Sequence, residues 1–314
     1  MSENNIKNLN MKKKIYIAGC GGMLGEAFYE KFRRDFILKC TDIDVNADWL
    51  TYLNFRNHEK YEKDVTDFNP DWLFHLGAYT NLEYCELNEE DTYATNTASV
   101  MNAVKIANDL HIPILYISTA GIFDGNKEVY VESDKPNPIG HYAKSKYLGE
   151  KYVIENAKDF MICRAGWMMG GGPQKDKKFI QKILKQLKNN KKVLHVVDDK
   201  LGTPTYTHDF AANVKLLIEK GEYGLFNMVC GGLTSRFEVA QELIYLLGLR
   251  EEVTVNKVSS SFFKEEYFAD RPDCERLINK RLNDIGLNIM REWRVALKEY
   301  LDEYYQDIKI KTSF

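Results

Sequence analysis

The residues that most constrain what this chain can fold into are 14–44. Ile15-Tyr16-Ile17-Ala18, β-branched and aromatic, runs straight into Gly19-Cys20-Gly21-Gly22-Met23-Leu24-Gly25. Apolar residues then recur at helical spacing through Leu24, Ala27, Phe28 and Phe32. The pattern predicts a strand, a tight turn and a helix. The glycines fall at 19, 22 and 25, a G-x-x-G-x-x-G spacing, since the G-x-G-x-x-G alternative fails at Leu24. Such a turn needs one glycine for positive φ, one for close approach of backbone to a pyrophosphate, and one to seat the helix on the strand. The helix start then offers unpaired N–H groups to an anion. A second strand-like run, 36–40, ends at Thr41-Asp42-Ile43-Asp44. That places Asp42 where a dinucleotide presents its ribose hydroxyls, so the expected cofactor is NADH or NADPH, with Asp42 favouring NADH.

The remaining elements extend this unit. Residues 52–63 have a solvated helical pattern. Trp72-Leu73-Phe74-His75-Leu76 reads as a buried parallel strand ending at Gly77-Ala78. Residues 80–108 read as one helix with Ala94, Ala98, Met101 and Val104 as its stripe, interrupted by Asn96, and 112–117 as a strand ending at Ser118-Thr119. Alternating strands and helices predict an α/β fold, a doubly wound parallel sheet of Rossmann type, with a smaller α+β lobe. Ligands then lie beyond the carboxyl ends of the strands, the edge shared by Gly19, Asp42, Gly77 and Ser118.

Composition narrows the partners. A net charge of −3 over 314 residues gives no overall attraction to nucleic acid or to an acidic membrane. The six cysteines are scattered without a C-x-x-C pair, and the histidines are equally dispersed, so reduced thiols in the cytoplasm are expected and a metal is not. Residues 1–14 are polar and basic with no apolar run behind them, so no signal peptide or membrane span is expected.

Pro138 and Gly140 lead into a helix in which Tyr142 and Lys146 stand four apart on one face. A phenol of pKa about 10 is a poor acid or base at neutral pH, and a neighbouring ammonium would lower that value. The same ammonium could hold a ribose. A second pair, Tyr147 and Lys151, lies one register on. The first is favoured by its Pro-Gly entry, its small neighbours Ala143 and Ser145, and the hydroxyl-bearing strand end before it; Tyr147 and Lys151 are assigned to packing and surface.

The glycine turn, Asp64-Val65, Ser118-Thr119, and Tyr142 with Lys146 together resemble the extended short-chain dehydrogenase/reductases that act on nucleotide sugars. Gly22-Met23-Leu24-Gly25, Ala78-Tyr79-Thr80-Asn81 through Glu86, Phe123-Asp124-Gly125, Arg164 with Trp167, 202–205 and Arg271-Pro272 are most similar to the dTDP-4-dehydrorhamnose reductase family. The resemblance runs over nearly the whole chain. It implies that Tyr142 donates a proton to the 4-keto oxygen of a nucleotide sugar, that Thr119 hydrogen-bonds the same oxygen, and that Lys146 tunes Tyr142 and holds the nicotinamide ribose. It assigns Gly19, Gly22, Met23, Leu24 and Gly25 to the pyrophosphate, Asp42 to the adenosine ribose, Asp64 and Val65 to the adenine, and Ala78 to the centre of the cofactor. This sequence departs from the family's usual Ser-Thr-Asp-Tyr-Val-Phe with Ser118-Thr119-Ala120-Gly121-Ile122-Phe123, losing a carboxylate beside the reacting sugar. An epimerase or dehydratase, or a non-catalytic nucleotide-binding regulatory subunit, are the alternative readings.

Residues 12–166 are expected to hold the dinucleotide, with later returns near 206–220, and 167–314 mainly the substrate. Thr80, Trp167 and Arg271 are the candidate substrate contacts. Trp167 reads equally as a sugar-facing wall or as core, and Arg271 as a phosphate contact or as half of a structural salt bridge. The basic amphipathic segment 175–192 reads as a solvated face or as a positive rim for a diphosphate. His208 is a helix-entry residue. A homodimer is possible.

Overall fold

Along β1 (Lys14–Ala18), Ile15 and Ile17 join one buried layer while Tyr16 and Ala18 join the other. A strand fully buried on both faces belongs inside a sheet covered by helices on either side. The computed structural model describes residues 12–306 and shows that arrangement.

After β1 come α1 (Met23–Phe32), β2 (Ile37–Asp42), β3 (Leu50–Tyr52), α2 (His58–Phe68) and β4 (Trp72–His75). Then follow α3 (Leu82–Leu87), α4 (Glu89–Tyr93), a π-helical turn (Ala94–Ala98), α5 (Ser99–Leu110), β5 (Ile114–Thr119), α6 (Gly140–Asn156) and β6 (Phe160–Ala165). The chain continues through β7 (Trp167–Met169), α7 (Gly172–Lys175), α8 (Phe179–Lys188), β8 (Val193–Val197), β9 (Leu201–Gly202), β10 (Pro204–Tyr206) and α9 (Thr207–Lys220). It ends with β11 (Gly224–Asn227), β12 (Thr234–Ser235), α10 (Arg236–Leu246), β13 (Thr254–Val258), β14 (Cys274–Glu275), α11 (Lys280–Asp284) and α12 (Trp293–Tyr304).

Seven strands pair in parallel in the order β11-β6-β5-β4-β1-β2-β3. Strand order reverses between β1 and β4, which opens a crevice at their carboxyl ends. At that point Gly19 has φ +78°, and a Cβ on it would fall 2.3 Å from the Cα of Gly77. No side chain fits between the two backbones. The smaller sheets, β10-β7, β12-β9-β14 and β13-β8, lie after β6 in the chain.

Two helical expectations are corrected. The 52–63 segment begins as β3, and the helix starts only at His58, where Asn57 caps it by accepting the Lys60 N–H at 3.1 Å. It runs on to Phe68 and stops at Asn69, left-handed at φ 51°, before Pro70. The 80–108 segment is broken into α3, α4, the π-turn and α5. Asn96, buried in that turn, explains the break: its Oδ1 accepts the Tyr79 N–H at 2.8 Å, and its Nδ2 donates to Tyr79 O at 3.0 Å and to Ser145 Oγ at 3.1 Å. Ala98 and Met101 face solvent; the buried side of α5 is Val100, Ala103, Val104, Ile106 and Ala107. All six cysteines are buried and free. Among the described residues no helix is long and apolar enough to cross a membrane. The reading of the chain start as free of a signal falls on residues 1–14, of which 1–11 lie outside the described residues.

Candidate active site

The glycine turn is shaped as its spacing requires. The N–H groups of Gly19 and Cys20 both donate to Thr41 O, at 2.9 and 3.0 Å, tying the turn to the end of β2. A Cβ on Gly25 would lie 2.1 Å from Cys20 O, so α1 can sit on the strand only with glycine there. Around Gly22 a Cβ would meet nothing within 4 Å, and no side chain caps the helix that Gly22 introduces. The free N–H groups and the positive end of the α1 dipole therefore face open space, a fit for a pyrophosphate. Met23 is half-buried beside that opening, whereas the Leu24 side chain packs into the core beneath it. Asp42 closes the lip, its carboxylate accepting the N–H groups of Gly21 at 2.8 Å and Asp44 at 2.9 Å.

Asp64 and Val65 do not reach this edge. Both lie within α2: Val65 is fully buried in the core, and Asp64 accepts the Tyr16 hydroxyl at 2.6 Å and the Lys39 ammonium at 2.7 Å over the middle of the sheet. Their assignment to the adenine is corrected on that ground. The residues that do leave a strand end here are Leu53, Asn54 and Phe55, with the Leu53 N–H on Asp42 O at 3.0 Å and the Phe55 ring pressed against Gly77. The signal for them was the short aromatic and β-branched run 50–53 between Asp42 and the Asn57 cap. Ala78, half-buried, follows Gly77 at the end of β4.

Tyr142 sits in the first turn of α6. Gly140 enters that helix at φ +69°, and the His141 N–H donates to Glu86 Oε1 at 2.7 Å. From below, Ser145 Oγ donates to Tyr142 O at 2.8 Å, Thr97 Oγ1 donates to Ser145 O at 2.8 Å, and Asn96 holds Ser145 Oγ. The phenol lies within the influence of Thr119, the last residue of β5, whose hydroxyl accepts the Gly121 N–H at 3.1 Å. Burial pushes the Tyr142 pKa up to about 12; Thr119 pulls it back, and the nearby Glu275 carboxylate pushes it further up. The expectation that Lys146 lowers this pKa is corrected. Lys146, nearly fully buried, sends its ammonium to Ile117 O at 2.7 Å and over the Tyr116 ring at 4.3 Å. Burial brings the lysine itself down to about 7, with Glu150 opposing. The result is a phenol that keeps its proton at neutral pH, the state a proton donor needs. Tyr147 packs against an apolar cluster and Lys151 is exposed.

Trp167 is half-buried at the start of β7. Its indole Nε1 donates to Glu275 Oε2 at 2.8 Å, its flat face carries the Arg236 guanidinium at 3.7 Å, and Gly202 leaves room beneath it. Arg271 pairs with Glu83 at 2.5 Å and donates to Ala269 O at 2.7 Å, so of its two readings the structure shows the salt bridge. Thr80 is exposed, its hydroxyl accepting from Lys178 at 2.9 Å. The basic segment forms α8, with Ile180, Ile183 and Leu184 buried. His208 is the second residue of α9, its Nε2 3.4 Å from the Tyr304 hydroxyl. Two residues here escaped the sequence: Arg236, stacked between Trp167 and Phe179, and Glu275. Neither belongs to a local pattern that marks it.

Behind α6, Arg164 and Glu150 form a fully buried two-point ion pair, at 3.1 and 2.5 Å. It fixes the back of the tyrosine helix to β6, the strand that leads to Trp167.

A parallel sheet opened at β1 and β4, with a glycine turn below it and a tyrosine–lysine helix beside a hydroxyl-tipped strand, defines the extended short-chain dehydrogenase/reductases, nicotinamide-dependent oxidoreductases. Comparison with known proteins narrows the class. The chain belongs to the RmlD substrate binding domain family, whose model matches residues 12–306. It is 29% identical over 291 residues to the spore coat polysaccharide biosynthesis protein SpsK of Bacillus subtilis, covering 92% of this chain and 97% of that one. It is also 29% identical over 291 residues to a dTDP-4-dehydrorhamnose reductase of Mycobacterium tuberculosis, covering 91% of each. Among solved structures, a dTDP-4-dehydrorhamnose reductase from Clostridium acetobutylicum superposes with TM-score 0.82 at 30% identity, over 92% of this chain and 99% of that one. The Bacillus anthracis dTDP-4-dehydrorhamnose reductase in complex with NADP gives 0.85 at 26% identity, over 93% and 100%.

Proposed function

We propose that this chain reduces the 4-keto group of a nucleoside-diphosphate 4-keto-6-deoxysugar, converting dTDP-4-dehydro-L-rhamnose to dTDP-L-rhamnose in polysaccharide biosynthesis in the cytoplasm. The observation that carries the reading is the Tyr142 phenol, set in the first turn of α6, kept protonated by burial and shifted by Thr119 at the end of β5 and by Glu275, the residue that holds Trp167. A reduced nicotinamide, when bound, supplies the hydride to the carbonyl carbon. Tyr142 gives its proton to the carbonyl oxygen, Thr119 orients that oxygen, and Lys146 holds the ribose next to them. The turn of Gly19, Gly22, Met23, Leu24 and Gly25 takes the pyrophosphate through backbone N–H groups, and Asp42 takes the adenosine ribose. A carboxylate at that ribose repels a 2′-phosphate, which supports NADH over NADPH. In this reading 12–166, with returns near 206–220, is the cofactor lobe, and 167–314, interleaved with it, mainly holds the sugar nucleotide.

The test is loss of reduced-cofactor absorbance with purified protein and dTDP-4-dehydro-L-rhamnose, with other 4-keto nucleotide sugars in parallel. Consumption with the first supports the substrate. Binding of NADH without consumption on any of them overturns the reduction.

A further inference from the structure

Ala120 and Gly121 leave the end of β5 without a polar side chain, next to the two groups that face a carbonyl oxygen. The space is reached from elsewhere. Glu275, on β14, comes in from more than 150 residues away, and a Cβ on Gly121 would fall 3.2 Å from its Oε1. Its other oxygen accepts the Trp167 Nε1–H at 2.8 Å, so the carboxylate is fixed in orientation rather than sampling solvent. Its charge is felt on both sides of the crevice, at the Tyr142 phenol and at the Arg236 guanidinium that covers Trp167. Oε2 is thus used to hold the indole wall. Oε1 makes no hydrogen bond to any described residue and points at the bare strand end.

We propose that Glu275 is the residue that reads the sugar: with Oε2 on Trp167, its Oε1 accepts a hydrogen bond from the hydroxyl on the carbon next to the carbonyl carbon. In a 4-keto-6-deoxysugar that hydroxyl is the one on C3, since C5 carries the methyl group. The inference rests on the reading of the site as a nucleotide-sugar reductase. A half-buried acceptor aimed at a substrate hydroxyl discriminates once the ligand covers it, because a ligand lacking the hydroxyl leaves the carboxylate oxygen unpaired.

The experiment measures binding of dTDP-L-rhamnose and of bare dTDP by calorimetry with oxidised cofactor present, and kcat/KM with dTDP-4-dehydro-L-rhamnose and its 3-deoxy analogue. It uses the parent protein, E275A and E275Q. E275A is expected to weaken dTDP-L-rhamnose about tenfold or more while leaving dTDP and cofactor binding within about twofold. It should lower kcat/KM for the 3-hydroxyl substrate but not for the 3-deoxy one. E275Q keeps an acceptor for Trp167 and should show the same pattern at about threefold or more; if E275A fails to fold, E275Q decides. Equal loss on dTDP and dTDP-L-rhamnose, equal loss on the two ketosugars, or no loss at all overturns the proposal. So does a parent that binds dTDP-L-rhamnose no more tightly than dTDP. A parent that turns over no ketosugar but keeps the binding contrast overturns the reductase reading and leaves Glu275 as the sugar contact.

Discussion

The two walls of the crevice are built by different means. The wall proposed for the cofactor is backbone: a glycine turn, a helix start and the ends of three consecutive strands, all within 65 residues and positioned by hydrogen bonds of the sheet itself. The wall proposed for the sugar is side chain, with Trp167, Arg236 and Glu275 drawn from three separated segments and held by one hydrogen bond and two cation–π contacts. In the proposed reading, cofactor binding thus rests on backbone set by the fold, while recognition of the sugar rests on a few side chains.

That contrast can be broken at several points. The largest effect belongs to the group between the walls. Y142F should lower kcat by about a thousandfold with NADH affinity within about twofold, measured by single-turnover kinetics and titration. Retained turnover would move the proton to another donor. D42A should act only on the cofactor wall, shifting the ratio of NADH to NADPH affinity about tenfold toward NADPH without altering the KM for the sugar. A change in the sugar KM would mean that the walls are coupled.

Lys146 tests the back of the site through pH. Its folded pKa, about 7, lies below the usual lysine value, so the unfolded chain binds more protons between those limits. The parent should therefore gain stability relative to K146M as pH rises from about 7 to 10, read as the difference in Tm. A flat difference would show that burial does not depress this lysine. The smallest effect is expected at the decoy pair: K151A should leave kcat/KM and Tm unchanged within error.

The cofactor wall was legible because strand, glycine and helix follow one another in the chain. Local order also misled there. Asp64-Val65-Thr66-Asp67 resembles a strand-end motif, yet the cap at Asn57 and the stop at Asn69-Pro70 enclose it in α2, while the true strand, β3, has only three residues. At the tyrosine helix, spacing fixed that Tyr142 and Lys146 share a face but not where the ammonium points; a carbonyl of β5 claims it. Arg271 was visible as a charge, but its partner Glu83 lies 188 residues away. Glu275 was missed although the Arg271-Pro272 motif lies just before it, because that motif does not mark the residue that reaches the site.

Gly19 and Gly77 touch where β1 and β4 part, with no room for a methyl group between them. The chain writes them 58 residues apart; a Cβ on Gly19 would fall on the Gly77 backbone, whereas one on Gly77 would fall on the Phe55 ring. A lineage that acquired a side chain at Gly19 would have to part β1 from β4, whereas one at Gly77 would have to displace the Phe55 ring. Gly19 is therefore the less replaceable of the two, because its neighbour is backbone that cannot turn aside as a ring can.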